Sequence, residues 1–111
     1  METPDSITVD EDDDLTVVRL RGEIDSSLAP QAWGATHQAL DRRRPVVLDL
    51  EQVTFMDSTG VTFLLQCHHA CLRAGLPCEL AHVPDRVLVV LSTLGLLDVL
   101  LVRVAAPGTT G

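Results

Sequence analysis

The sequence predicts an α/β fold with a central, mixed but mostly parallel sheet of about five strands and about three to four helices. Short apolar runs alternate with segments of helical spacing in the order β-β-α-β-α-β-α-β, which is typical of parallel strands joined by crossover helices. The interior is predicted to be aliphatic, because 46% of the residues are hydrophobic and only 3% are aromatic. With 111 residues, we expect a single domain over 1–111, with loose termini at 1–6 and 105–111.

An N-terminal hairpin with an acidic tip is the first predicted element. Ile7 and Val9 alternate with polar residues, every residue from 10 to 14 is acidic, and an apolar pattern resumes at 15–20. We interpret the tip as a solvated turn that keeps an edge strand from pairing with other chains. A calcium loop is disfavoured, because its glycine turn and distal glutamate are missing. The net charge of −8 is therefore largely an N-terminal feature.

The first helix is predicted over 28–43. Its apolar positions recur at the spacing of one helical face, and they are Leu28, Ala32, Ala35 and Ala39. Pro30 falls in the first turn, where a missing N–H is harmless. The arginines at 42–44 lie near the negative end of the helix dipole, and we interpret them as a solvated final turn. Trp33 lies off the apolar stripe, either as a boundary packing residue or as a contact anchor.

A second unit joins a strand at 46–50 to a helix at 58–73. Asp57 is the predicted N-cap, which places the hydroxyls of Ser58 and Thr59 in the first turn, near the surface. The N–H groups of that turn are unpaired, so an anion is stabilised there. The predicted core stripe is Val61, Leu64, Leu65, His68 and Leu72, and the outward face is Thr62, Gln66, His69 and Arg73.

A third unit closes the predicted sheet. It has a strand at 78–83, a helix that begins at Pro84 and Asp85, and a last strand at 99–104. The helix carries an apolar face of Val87, Leu88, Leu91 and Leu94, with Gly95 as its C-cap.

The loops that follow two of the parallel strands, at 23–27 and 51–57, are predicted to leave the sheet at the same edge. Ligands and partners of such sheets approach the carboxyl ends of the strands. We therefore expect Asp25, Ser26 and Ser58 to share one surface.

Composition excludes several classes of function. The eight basic residues are all Arg, so a P-loop lysine, a Schiff base and a kinase-type ATP lysine are absent. A basic stripe with interleaved aromatic residues is also missing, which argues against nucleic-acid binding. The longest apolar stretch, 87–102, is interrupted by polar residues and glycine and is too short for a membrane span. Three cysteines without a basic-then-apolar leader indicate a reduced, cytoplasmic setting.

Catalytic and metal sites are disfavoured as well. A nucleophile elbow requires glycine two residues before the serine, and Met56 occupies that position before Ser58. Cys67, Cys71 and Cys78 lack the second ligand pair of a zinc site and are interpreted as buried structural thiols. A hydrolase site and a zinc site are therefore disfavoured, and we expect no metal and no cofactor.

Four sequence signatures together resemble the STAS domain family and, within it, the bacterial anti-sigma factor antagonists. They are Gly22-Glu23-Ile24-Asp25, Pro30, the segment from Phe55 to Gly60, and Leu94-Gly95-Leu96. The resemblance runs from about residue 7 to residue 104, nearly the whole domain.

The resemblance implies a partner-switching regulator that is a kinase substrate and not an enzyme. In that family the serine at the position of Ser58 is phosphorylated by an anti-sigma factor that is itself an ATP-dependent serine kinase. The unphosphorylated form binds the kinase so that a sigma factor is released, and a phosphatase resets the cycle. We also expect the protein to be cytoplasmic and to be a monomer or a weak dimer. The predicted partner-binding residues are Asp25, Ser26, Asp57, Thr59, Gly60 and Thr62.

Gly60 is expected to allow close approach of the partner, so that a larger residue there weakens binding while the fold survives. Two other functions stay open at this point. One is a STAS protein-interaction subunit of a transporter complex that is not phosphorylated, and the other is a nucleotide or small-molecule sensor that uses the same edge of the sheet.

Overall fold

A computed structural model of the chain describes residues 5–12, 14–97, 99 and 100, and the backbone of 102 and 103. Within these residues, five strands form one sheet in the order β1-β2-β3-β4-β5. The strands are β1 Ser6–Glu11, β2 Thr16–Ile24, β3 Val46–Met56, β4 Cys78–Ala81 and β5 Val102–Arg103. The helices are α1 Ala29–Arg42, α2 Ser58–Arg73 and α3 Asp85–Thr93, and a 3₁₀ turn at Ser26–Leu28 precedes α1.

The sheet is mixed and mostly parallel, as the sequence predicts. β1 pairs antiparallel with β2, while β2, β3, β4 and β5 pair in parallel with one another. Parallel neighbours require crossover connections, and the three α-helices provide them. The predicted α/β class and the order of its elements are confirmed.

The helical face predicted for α1 is buried against the sheet. Leu28, Ala32, Ala35 and Ala39 are all buried. Apolar side chains of β2, β3 and β4 complete the core, and Leu20, Leu48, Leu50 and Leu80 are fully buried there. The aliphatic composition therefore corresponds to an aliphatic core.

β3 is longer than the sequence suggests, and this corrects the prediction of a loop at 51–57. The strand continues to Met56 because its second half pairs with the end of β2, where the register shifts twice. Val53 and Met56 are buried along this extension. A similar correction applies to Ser6, which pairs with Arg21 in β1 and so does not belong to a loose terminus. Residues 1–4 and 105–111 of the predicted loose termini lie outside the described residues.

The buried face of α2 is rotated relative to the prediction. Leu72 is 65% exposed, and His68 is only partly buried. The buried positions are Gly60, Val61, Phe63, Leu64, Cys67 and Cys71. The two cysteines behave as small hydrophobic residues and take the places that the prediction assigned to larger side chains.

The C-terminal region also differs in detail. α3 ends at Thr93, and Leu94, assigned to its apolar face, is exposed at the C-cap. Gly95 adopts a positive φ of 71°, as a residue that ends a helix commonly does. β4 stops at Ala81 rather than at 83, and β5 covers only 102 and 103, while residue 104 lies outside the described part of the chain. No helix within the described residues is long and apolar enough to cross a membrane.

Candidate functional site

Two strand-to-helix turns lie side by side at the carboxyl edge of the sheet. Ile24 and Met56 end β2 and β3 as a register pair, and an aspartate follows each of them. The backbone N–H of Asp57 donates to the carbonyl oxygen of Ile24 at 3.3 Å, which ties the two turns together. The predicted shared surface of Asp25, Ser26 and Ser58 is therefore present.

Asp57 caps α2 as the sequence predicts. Its Oδ1 accepts hydrogen bonds from the backbone N–H groups of Thr59 at 2.9 Å and Gly60 at 3.1 Å. The backbone of Asp57 is extended, with φ −95° and ψ −171°, which is the usual conformation of an N-cap. The carboxylate thus satisfies two of the N–H groups that a helix leaves unpaired in its first turn.

Asp25 repeats this arrangement on the neighbouring turn. Its Oδ1 accepts from the hydroxyl of Ser27 at 2.6 Å and from the backbone N–H of the same residue at 2.9 Å. These hydrogen bonds, with the one from the Ser27 hydroxyl as the larger effect, lower the pKa of the exposed Asp25 carboxyl. Both turns therefore present an aspartate followed by a serine.

The residues that carry hydroxyl groups at the start of α2 are exposed. Ser58, Thr59 and Thr62 are all exposed, and so is Ser26 on the neighbouring turn. The Thr62 hydroxyl donates to the backbone oxygen of Ser58 at 2.9 Å. Within the described residues, no hydrogen bond engages the Ser58 hydroxyl. That oxygen is therefore accessible for attachment of a phosphoryl group.

The prediction made for Gly60 requires a correction. It is buried, and a Cβ at this position would lie 2.4 Å from Cγ of Met56 and 2.9 Å from the carbonyl oxygen of Ile24. The absence of a side chain therefore lets the first turn of α2 pack against the ends of β2 and β3. The expectation that the fold tolerates a larger residue here is wrong, because the nearest obstacles belong to the fold itself.

The Gly22-Glu23-Ile24-Asp25 signature also has a local structural reason. Gly22 adopts a φ of 79° between the two register shifts of β2, a conformation that L side chains rarely adopt. The Asp5 carboxylate lies against Gly22 and accepts from the N–H of Glu23 at 3.0 Å. The signature therefore bends the strand end that carries Asp25 to the surface.

An apolar groove of about 640 Å³ between α1 and α2 was not expected from the sequence. Thr59 lines one part of it, next to the candidate phosphorylation site, and Trp33 and Phe63 contribute aromatic surface. Trp33 is 57% exposed, so it lies at the margin of the fold and not in the core. In the sequence, this groove was indicated only by the position of Trp33 outside the apolar face of α1.

Comparison with known proteins places the chain in a family. The STAS domain model matches residues 6–106, which is nearly the whole chain. The chain belongs to the STAS domain family, and the resemblance read from its signatures is confirmed.

Several solved structures are similar over almost their full length. The anti-sigma factor antagonist SpoIIAA in its unphosphorylated form is 21% identical, with a TM-score of 0.75 over 91% of this chain and 89% of that chain. An anti-sigma factor antagonist from Mycobacterium paratuberculosis is 25% identical, with a TM-score of 0.75 over 93% and 90%. The Bacillus cell fate determinant SpoIIAA in its phosphorylated form is 20% identical, with a TM-score of 0.71 over 91% and 92%.

Proposed function

We propose that this STAS domain is an anti-sigma factor antagonist regulated by phosphorylation of Ser58. Its unphosphorylated form binds an anti-sigma factor that is a serine kinase, which frees a sigma factor, and a phosphatase reverses the modification. The chain itself is a cytoplasmic, non-enzymatic kinase substrate. The observation that carries the proposal is the exposed hydroxyl of Ser58 at the N-terminus of α2, beside a capping aspartate and without a hydrogen bond to any described residue.

The position of Ser58 suits a switch that leaves the fold intact. A phosphoserine carries about −1.5 to −2 charges, and the N-terminus of a helix stabilises negative charge. The N-cap hydrogen bonds of Asp57 use its own carboxylate and do not involve the Ser58 side chain. Phosphorylation is therefore expected to change the surface without disrupting α2.

The same charge would oppose docking of a partner. The proposed contact surface consists of Asp25, Ser26, Asp57, Thr59 and Thr62, and two of these residues are acidic. A partner that covers this surface would desolvate a phosphate close to two carboxylates, and a loss of about 1.4 kcal/mol already weakens binding tenfold. Gly60 supports the surface from beneath, because its packing fixes the first turn of α2.

The first prediction concerns phosphate transfer. Purified chain is incubated with each anti-sigma factor kinase of the source organism and ATP, and the modified residue is mapped by mass spectrometry. We expect one phosphate on Ser58 and none on a Ser58→Ala variant. Ser26→Ala is the matched control, because Ser26 is also exposed and also follows a capping aspartate. That control is expected to accept phosphate normally.

Binding to the same kinase gives the second readout. Ser58→Ala is expected to retain affinity, while Ser58→Asp is expected to weaken binding by about tenfold or more. Far-UV circular dichroism of both variants is expected to match the parent chain. Phosphate on Ser58→Ala, or equal affinity of Ser58→Asp and parent, would contradict the proposal.

A small-molecule sensor is the second candidate, and the groove between α1 and α2 favours it. Pockets of several hundred Å³ with apolar walls commonly hold small ligands. The chain contains a single Trp, and Trp33 lines the groove, so its fluorescence reports on occupancy. Titration with nucleotides separates the two functions: a saturable change in Trp33 emission supports the sensor, and an unchanged spectrum supports the antagonist.

A further inference from the structure

Three cysteine thiols converge in the core between α2 and β4. Cys67 and Cys71 lie one turn apart on the buried face of α2, and Cys78 begins β4. Their sulfur atoms all lie within 4.8 Å of one another, and all three thiols are free. The residues are 1%, 0% and 6% exposed, respectively. Ser58 lies nine or more residues away along α2, about 14 Å or more at 1.5 Å per residue, so the cluster is separate from the proposed phosphorylation site.

We propose that Cys67, Cys71 and Cys78 form a three-coordinate site for a thiophilic ion, with trivalent arsenic as the preferred species. Thiolate sulfur is a soft ligand and selects soft ions. Structural zinc sites normally use four ligands, and among the described residues this cluster brings only three donors together. The spacing of the three cysteines disfavours a four-coordinate zinc site, but it does not disfavour an ion that binds three sulfur atoms.

Charge balance in the core favours a trivalent ion. Arsenous acid reacts with three thiols to give one arsenic bonded to three sulfurs and three molecules of water. Three As–S and three O–H bonds form, three As–O and three S–H bonds break, and neither arsenic nor sulfur changes its oxidation state. The product is neutral. A monovalent ion bound by three thiolates would leave two negative charges in the core, and a divalent ion would leave one, which burial penalises.

The thiols already interact with one another. Hydrogen bonds from Cys67 and Cys78 lower the pKa of the Cys71 thiol, while the shared hydrogen bonding raises the pKa of the other two. Thr36 lines the groove between α1 and α2, and its buried hydroxyl donates to the backbone oxygen of Ala32 at 2.9 Å.

The test is a titration of the reduced, full-length chain with sodium arsenite, with zinc sulfate and a Cu(I)–acetonitrile complex as separate arms. Native mass spectrometry is expected to show one arsenic per chain with the loss of three protons, and arsenite is expected to raise the Tm. Zinc and Cu(I) are expected to bind at least about tenfold more weakly. Tighter binding of zinc or Cu(I) would overturn the preference for a neutral product.

Variants test whether all three sulfurs take part. Cys67→Ala, Cys71→Ala and Cys78→Ala are each expected to lose affinity for arsenite by about tenfold or more, because two sulfurs remain. Val87→Ala is the matched control, since it truncates a buried side chain of α3 without removing sulfur, and it is expected to bind one arsenic. Undiminished binding by Cys78→Ala would reduce the site to the helical pair and overturn the proposal.

A second measurement on the parent chain does not depend on folding of the variants. Unfolded cysteines also bind thiophilic ions, so the affinity of the folded chain is compared with that of the chain in urea. We expect the folded chain to bind arsenite at least about tenfold more tightly. Equal affinity would show that the fold does not preorganise the three sulfurs.

Discussion

Two helical glycines experience opposite surroundings, which shows how much one residue decides in this domain. Gly60 lies in the first turn of α2, against Met56 and Ile24, where a Cβ has no room. Gly34 lies in the middle of α1 on an exposed face, and a Cβ there would meet nothing within 4 Å. The sequence alone does not distinguish the surroundings of these two glycines. Only the register of β2 against β3 distinguishes them, because it places the end of β2 beneath Gly60.

The prediction at this scale is that alanine has opposite effects at the two positions. Gly60→Ala is expected to destabilise the fold by about 1–3 kcal/mol, since its Cβ overpacks against backbone. Gly34→Ala is expected to stabilise the fold by about 0.5–1 kcal/mol, because alanine favours an exposed helix interior. Urea unfolding of both variants measures the difference. A Gly60→Ala variant as stable as the parent would show that the turn relaxes around the methyl group.

At the scale of elements, Arg42 connects the end of α1 to the N-terminal hairpin. Its guanidinium donates to the backbone oxygens of Leu15 at 2.9 Å and Asp12 at 2.8 Å, and to the hydroxyl of Thr16 at 3.2 Å. The sequence grouped Arg42 with Arg43 and Arg44 as a solvated turn. Arg42 departs from that description because its partly buried side chain reaches the loop between β1 and β2, a contact that helical spacing cannot reveal.

Removal of Arg42 is therefore expected to loosen the hairpin. Arg42→Ala leaves the oxygens of the hairpin loop without this donor, and we expect a loss of about 1–3 kcal/mol in the free energy of unfolding. Arg44→Ala, at an exposed position two residues later, is expected to change it by at most about 0.5 kcal/mol. Hydrogen exchange locates the effect, with faster exchange expected at Leu15 and Thr16 in the first variant alone. Equal exchange in both variants would assign no anchoring role to Arg42.

Other elements show why part of the fold was predictable. The bounds of α2 follow from local chemistry, because Asp57 caps one end and the glycine at 75 follows the other. The length of β3 does not follow from local chemistry, because its second half is a strand only through pairing with β2. The convergence of Cys78 with Cys67 and Cys71 is likewise a tertiary result, since β4 brings Cys78 alongside α2.

At the scale of the whole molecule, a charged network crosses the sheet from β1 to the end of β4. The Arg19 guanidinium of β2 pairs with Asp10 of β1 and with Asp49 of β3, the latter at 2.9 Å. Asp49 also accepts from the N–H of Glu51 at 3.0 Å and lies 3.3 Å from Nδ1 of His82. Asp49 is buried, while the Arg19 side chain is 38% exposed, so water screens part of the attraction.

The last prediction is that Asp49→Asn lowers the free energy of unfolding of the whole domain, although it keeps the shape of the side chain. The amide keeps the shape and one acceptor oxygen, but its NH₂ group replaces the oxygen that meets Arg19, and a buried group loses its partner. We expect a decrease of about 1–3 kcal/mol in the free energy of unfolding. The value stays below that of a fully buried ion pair because solvent screens the charge at Arg19.

Asp41→Asn, on the exposed face of α1, is the matched control for the loss of one negative charge. Its free energy of unfolding is expected to lie within about 0.5 kcal/mol of that of the parent. Urea unfolding at low and high salt measures both variants. Equal stability of the two variants would mean that the strands are held by their apolar faces and ladder hydrogen bonds alone, with no contribution from the network.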